Sequence, residues 1–187
     1  MTVHMTGIQK RPTDERRIEP RDLRNALGRF ATGVTVVTTR TQTGKREGLT
    51  ANSFAAVSLD PPLVSWTLKR AAPSFDSFLA AQHFAVNILS ADQRNLCRHF
   101  ATPNLDKFAD IPFDEGLHGA PILLGCLATF ECRTQNTFAG GDHLIFIGRV
   151  SRATYRDGEP LIFSAGRFCV PSLLEETLGA AFSTPEV

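Results

Sequence analysis

The sequence is poor in most features that announce a function on their own. Its 187 residues include one tryptophan, one tyrosine and two methionines, so its aromatic content rests on 14 phenylalanines. Lysine and arginine (20) nearly balance aspartate and glutamate (19), for a formal net charge of +1. A chain so nearly neutral has no global field with which to hold nucleic acid or attract an acidic partner. No apolar run approaches the ~20 residues of a membrane-spanning helix. Residues 1–20 lack the apolar stretch of a secretory leader. The four cysteines, Cys97, Cys126, Cys132 and Cys169, form no CxxC pair, and the Cys126 to Cys132 spacing fits no common zinc site. No metal site is therefore expected. The cysteines read as buried, inert thiols in a reducing cytoplasm. Also missing are a P-loop, a GxSxG elbow, an HExxH pair and a GxGxxG turn after a strand. These gaps turn the reading away from nucleotide hydrolysis, serine and zinc hydrolases, and Rossmann dinucleotide binding.

What is present is a pattern of strands. At 42% hydrophobic residues the chain can bury one domain-sized core. Residues 1–19 are polar and aperiodic and read as a loose arm; 20–170 read as the domain, and 171–187 as a C-terminal extension. Leu23, Leu27 and Phe30 fall at helical spacing over residues 21–30, between Asp22 near the start and Gly28 near the end. The mixed charges between Lys10 and Arg29 read as a solvated face. Residues 33–39 are almost wholly β-branched, and the turn at 41–45 lets 46–51 return as a hairpin partner. Further strands are expected at 54–59, 63–68, 83–89, 122–134, 142–154 and 160–163. Short helices are expected at 74–80, from Ser90 or Asp92 to Phe100, and at 172–182. A long loop should occupy 102–119. That makes six to eight strands and three or four helices. Short turns between successive strands favour an antiparallel sheet, and closure into a barrel would remove its edges.

Three segments have residues suited to holding a ligand. Around Thr50, Ala51, Asn52 and Ser53, small residues allow close approach to the backbone, while hydroxyl and amide groups supply donors and acceptors. A polar turn at a strand end has the same composition. In residues 69–74, Lys69 and Arg70 end a strand and Ser74 opens a helix, a combination that can hold phosphate or simply cap the helix. In residues 139–144, two glycines precede Asp142 and His143; glycine permits close approach and imidazole can donate or stack. His4, His83, His99 and His118 have no such setting. With no dedicated nucleophile or acid–base motif, bound organic cofactors would carry the chemistry and the protein would orient them.

In this order and spacing the segments resemble the flavin reductases that serve two-component flavin-dependent monooxygenases. The resemblance runs from about Leu23 to Phe168. It is carried by residues 30–38 (FATGVTVVT), 49–64 (LTANSFAAVSLDPPLV), 84–89 (FAVNIL), 106–108 (DKF), 119–121 (GAP), 141–143 (GDH), 160–163 (PLIF) and 166–168 (GRF). It implies a mainly β, antiparallel FMN-binding split barrel with a few surrounding helices, usually a homodimer. It implies FMN or FAD as the flavin and NADH or NADPH as reductant. It places Thr50, Ala51, Asn52 and Ser53 along the flavin ring, Thr67, Leu68 and Lys69 beside the ring and ribityl chain, and Ser74 on phosphate. It puts Phe100, Lys107 and Phe108 near the flavin tail, and Asp142 and His143 at the nicotinamide, with His143 the residue expected at the chemical step. An oxygenase component would receive the reduced flavin; nucleic acid and membrane are not expected partners. A non-enzymatic flavin carrier or sensor on the same barrel is the competing reading, separated from the enzyme by whether flavin stimulates NADH oxidation.

Overall fold

The β-branched run after Gly33 does form a strand of the main sheet, and the turn residues around it set the connections. The computed structural model describes residues 18–172 except Leu105. In chain order its elements are α1 (Pro20–Leu27), β1 (Thr32–Gly33), β2 (Thr35–Arg40), β3 (Arg46–Ala51), β4 (Ala55–Leu59), β5 (Pro62–Lys69), α2 (Phe75–Ala80) and β6 (His83–Ile88). They continue with α3 (Arg94–Ala101), β7 (Phe113–Glu115), β8 (Pro121–Leu123), β9 (Ala128–Gly140), β10 (His143–Tyr155), β11 (Ile162–Ser164) and β12 (Arg167–Cys169). Seven strands form one antiparallel sheet in the order β3-β2-β6-β9-β10-β5-β4. Its two edges, β3 and β4, are joined by residues 52–54, so the sheet must curl until those edges approach each other. The result is a mainly β split barrel, with β1-β11-β12 and β7-β8 as small accessory sheets.

Alternating side chains build two separate cores. Inside the barrel Trp66 is fully buried, stacked on Phe146 (4.5 Å between centroids, 12°) and met edge-on by Phe78 (5.2 Å) and Phe84 (5.7 Å). β10 makes room with Gly148: a Cβ there would lie 2.3 Å from the Phe84 ring. The second core lies where α3 packs on the sheet, and gathers Val34, Val36, Leu89, Cys97, Phe100, Phe108, Leu123 and Leu161. Burying an apolar side chain of this size contributes roughly 1.5–3 kcal/mol. The buried Asn87 and Thr38 side chains between the layers are paired, as their desolvation demands. The Asn87 amide donates to Val36 O (3.0 Å) and accepts from Leu123 N (3.0 Å), while Thr38 Oγ1 donates to Pro121 O (2.5 Å). These bonds fix β8 to β2 and β6.

Several expectations change. The single strand expected at 122–134 is broken: β8 stops at Leu123, Gly125 takes a positive φ (78°), and β9 starts at Ala128 and runs to Gly140. The 102–119 segment is mainly loop but includes β7 and a 3-10 turn at Leu117–Gly119. β7 and β12 have three residues each, too few to show a period. The strand total therefore exceeds six to eight. α1 ends at Leu27, and its apolar positions are exposed (Leu23 45%, Leu27 66%, with Phe30 beyond it at 78%). The cysteines are free, but only Cys97 and Cys132 are buried; Cys126 is half-buried and Cys169 is exposed, since it ends the accessory sheet. Burial pushes the Cys126 thiol up to about 11 and the Cys132 thiol up to about 12. The expected helix at 172–182, and nearly all of the expected arm at 1–19, lie outside the described residues. No helix among the described residues is long and apolar enough to cross a membrane.

Candidate functional site

β3 is an edge strand, so half of its backbone polar groups face away from β2. Lys107 Nζ donates to Gly48 O at 3.1 Å from the free side, whereas Ala51 O accepts the Thr35 hydroxyl (2.8 Å) on the β2 side. Alternation along the strand then turns the Thr50 N–H and C=O outward with those of Gly48. Beside this free edge opens a cavity of about 660 Å³, within the range of small-molecule sites. β3 and residues 52–53 form one wall, and the end of β5 with residues 72–74 the opposite wall. The end of α3, Pro103, Asn104 and Lys107 cover the side, and His143 stands at the β10 end. Gly48 allows α3 to seal the wall: a Cβ there would lie 2.6 Å from the Phe100 ring.

Two of the four hydroxyls lining the cavity are already tied to the protein. Thr50 Oγ1 donates to Cys97 O at 2.6 Å, which ties β3 to α3. Ser53 Oγ accepts from Thr67 N at 3.0 Å and reaches Thr67 O at 3.4 Å, so it ties the link after β3 to β5 across the cavity mouth. Each oxygen keeps acceptor capacity, and the outward Thr50 backbone, the exposed Asn52 amide and the Thr67 and Ser74 hydroxyls add further donors and acceptors. Ser74 makes no capping bond to α2, which has only six residues.

Charge is unequally placed. Lys107 Nζ, besides Gly48 O, donates to Phe100 O at 2.7 Å. Burial pulls the Lys107 ammonium below the usual lysine range, and Glu47 partly offsets this. Lys45 Nζ lies 2.6 Å from Glu47 Oε1, which also accepts from Ser77 Oγ at 3.3 Å. At the other end His143 pairs across the sheet with Lys69. Its Nδ1 is 2.7 Å from Asp142 Oδ1. The His143 hydrogen bond, with Lys69 nearby, holds the Asp142 carboxyl below its ordinary range. An ionised Asp142 accepts a hydrogen bond from the Nδ1–H, leaving Nε2 for a ligand. Gly141, at φ 64°, supplies the left-handed residue that the β9–β10 turn needs.

The structure brings Thr50, Ala51, Asn52, Ser53, Thr67, Leu68, Lys69, Ser74, Phe100, Lys107 and His143 around one cavity. Phe108 lies behind it, buried edge-on against Phe100 (5.2 Å). Asp142 is exposed and supports His143 from outside. Sequence reasoning missed Lys45, Glu47 and Leu49. The period of two counted back from Ala51 puts all three on one face of the hairpin and was the signal available. Ala72, Pro73, Ala101, Pro103 and Asn104 join only through tertiary folding.

An aromatic ring system with a polar edge fits this slot: backbone donor and acceptor on β3, small residues beside them, and lysines further along. Comparisons with known proteins agree. Residues 27–172 match the flavin reductase like domain family. The chain is 49% identical over 148 residues to the FMN reductase (NADH) SmoA of Agrobacterium fabrum, covering 79% of this chain and 84% of that protein. It is 40% identical over 152 residues to the reductase component of the flavin-dependent trigonelline monooxygenase of Acinetobacter baylyi, with 81% of this chain covered but only 49% of that longer protein. The Streptomyces globisporus NADH:FAD oxidoreductase, solved with NAD and FAD fragments, superposes with a TM-score of 0.77 at 38% identity, over 87% of this chain and 99% of that one. On its fold, its cavity and a match spanning most of its length, the chain belongs to the flavin reductase like family.

Proposed function

We propose that this chain is an NAD(P)H:flavin oxidoreductase that supplies reduced FMN or FAD to a separate monooxygenase component. The observation that carries this reading is the cavity along the free edge of β3 with His143 at one end. The Thr50 backbone offers a donor and an acceptor side by side, the pairing a flavin's pyrimidine edge requires. Ala51, Asn52 and Ser53 would lie along the ring, Thr67, Leu68 and Lys69 on the facing wall, and Ser74 near the phosphate-bearing tail. Lys107 acts mainly by holding β3 to α3, and Phe108 by backing Phe100. In the bound state nicotinamide would supply a hydride and the flavin ring would accept it. The protein's task is to align two rings and keep water out, a positional contribution that grows steeply as geometry improves. His143, oriented by Asp142, would meet the nicotinamide. The relatives named as monooxygenase reductase components support an oxygenase partner.

A homodimer is proposed on the exposed apolar surface of edge strand β4, where Val57 and Leu59 are 46% and 73% exposed. A cytoplasmic setting suits free thiols and an NADH supply. The test is NADH and NADPH oxidation with FMN, FAD and riboflavin added in turn. Strong stimulation by a flavin supports the enzyme; a tightly bound flavin without stimulation supports the carrier instead.

A further inference from the structure

Glu47 is out of place in a cavity that should receive a phosphorylated tail. Its side chain is only 13% exposed, on β3 two residues before Leu49. It occupies Lys45 (2.6 Å) and the Ser77 hydroxyl (3.3 Å), and it is near enough to Lys107 to influence that ammonium. Lys107 is itself committed to two carbonyls. Thus the cations at this end are already engaged. An anionic tail must compete with Glu47 for Lys45 and also approach a carboxylate in a partly desolvated space.

We propose that Glu47 is a specificity-determining residue that penalises a phosphate monoester at the tail end of the cavity, so that flavins are sorted by the charge of their tails. The proposal rests on the flavin-reductase reading. Riboflavin carries no phosphate and should not feel Glu47. The monoester of FMN approaches two negative charges at neutral pH and should feel it most. In FAD the two phosphates share an anhydride bridge and each keeps a single charge, so the penalty should be intermediate. A carboxylate here also favours release, which suits a protein whose flavin must leave to reach another.

The experiment is a flavin-fluorescence titration of riboflavin, FMN and FAD against the full chain, Glu47→Gln and Glu47→Ala, with melting temperatures to confirm folding. Removing one unit charge some 6 Å from another, at an effective dielectric between those of protein and water, should change affinity roughly three- to tenfold. FMN should therefore tighten by about that factor in Glu47→Gln while riboflavin stays within about twofold. Glu47→Ala, which also removes the Ser77 contact, should move the FMN-to-riboflavin ratio in the same direction. An unchanged or reversed ratio in a folded variant overturns the inference and leaves the flavin reading standing. Failure of the unaltered chain to bind any of the three flavins overturns both.

Discussion

The barrel interior and the cleft beside it are made by the same strands on different terms. The interior is a dry aromatic stack in which Trp66 is fully enclosed and its indole N–H meets no acceptor. The cleft is built from polar groups already tied to one another: Thr50 to Cys97, Ser53 to Thr67, Lys107 to Gly48 and Phe100. Packing supplies stability in the first region and shape in the second. A ligand that enters the cleft finds its walls set in advance, with the free β3 backbone and the Asn52 amide left for recognition. Preorganisation of this kind lowers the cost of binding without making the grip strong.

Substitutions graded from the interior to the rim can break that contrast. Trp66→Ala should have the largest effect on stability, a loss of about 3–5 kcal/mol for an enclosed aromatic. Chemical denaturation measures it, and the fraction that remains folded should still bind flavin. Gly48→Ala lies at the junction. Its new Cβ would press on Phe100 at 2.6 Å and Phe108 at 3.1 Å, so both regions should suffer. About 1–3 kcal/mol of stability should go, together with a clear loss of flavin affinity in the same sample. If affinity is untouched, α3 does not shape the cleft.

Lys107→Met should cost less, about 1 kcal/mol, because its two carbonyl bonds are only half-buried. The account expects FMN and riboflavin to weaken together, since the residue is proposed to hold β3 rather than grip phosphate. A selective loss of FMN would return Lys107 to the place near the flavin tail that the resemblance implies. His143→Ala should move stability least, within about 0.5 kcal/mol for a half-exposed rim residue. Yet it should slow NADH-dependent flavin reduction by about ten- to a hundredfold if alignment is its task. Equal losses in flavin affinity and NADH use would remove it from the nicotinamide side.

The parts of this molecule visible in the sequence are those with a local cause. Residues 33–39 and 63–68 read as strands because β-branched residues fit a pleat, and the turn at 41–45 reads correctly because Gly44 supplies the positive φ it needs, whereas the reach of β9 to Gly140 was not read. β7 and β12 were hidden because three residues show no period. Leu124 and Gly125 looked like strand because they are apolar and small, and only the chain reversal there shows otherwise. In the cleft, the site residues were found by resemblance; composition alone left Thr50 to Ser53 indistinguishable from a polar turn. What resemblance did not show is the use of each group. Thr50 and Ser53 spend their hydroxyl protons on the protein, Lys107 works as a brace, and Glu47 sits where a hairpin charge would ordinarily face solvent. Those are tertiary facts, set by which strand end meets which helix.

The cleft beside β3 is proposed to hold a flavin in reach of a nicotinamide. The most direct test is an anaerobic titration of FMN or FAD with NADH in the presence of a catalytic amount of this protein. The flavin's visible absorption should bleach in proportion to NADH added, one equivalent for one, and return when oxygen is admitted. A flavin that binds the protein but bleaches no faster than in buffer alone would contradict it.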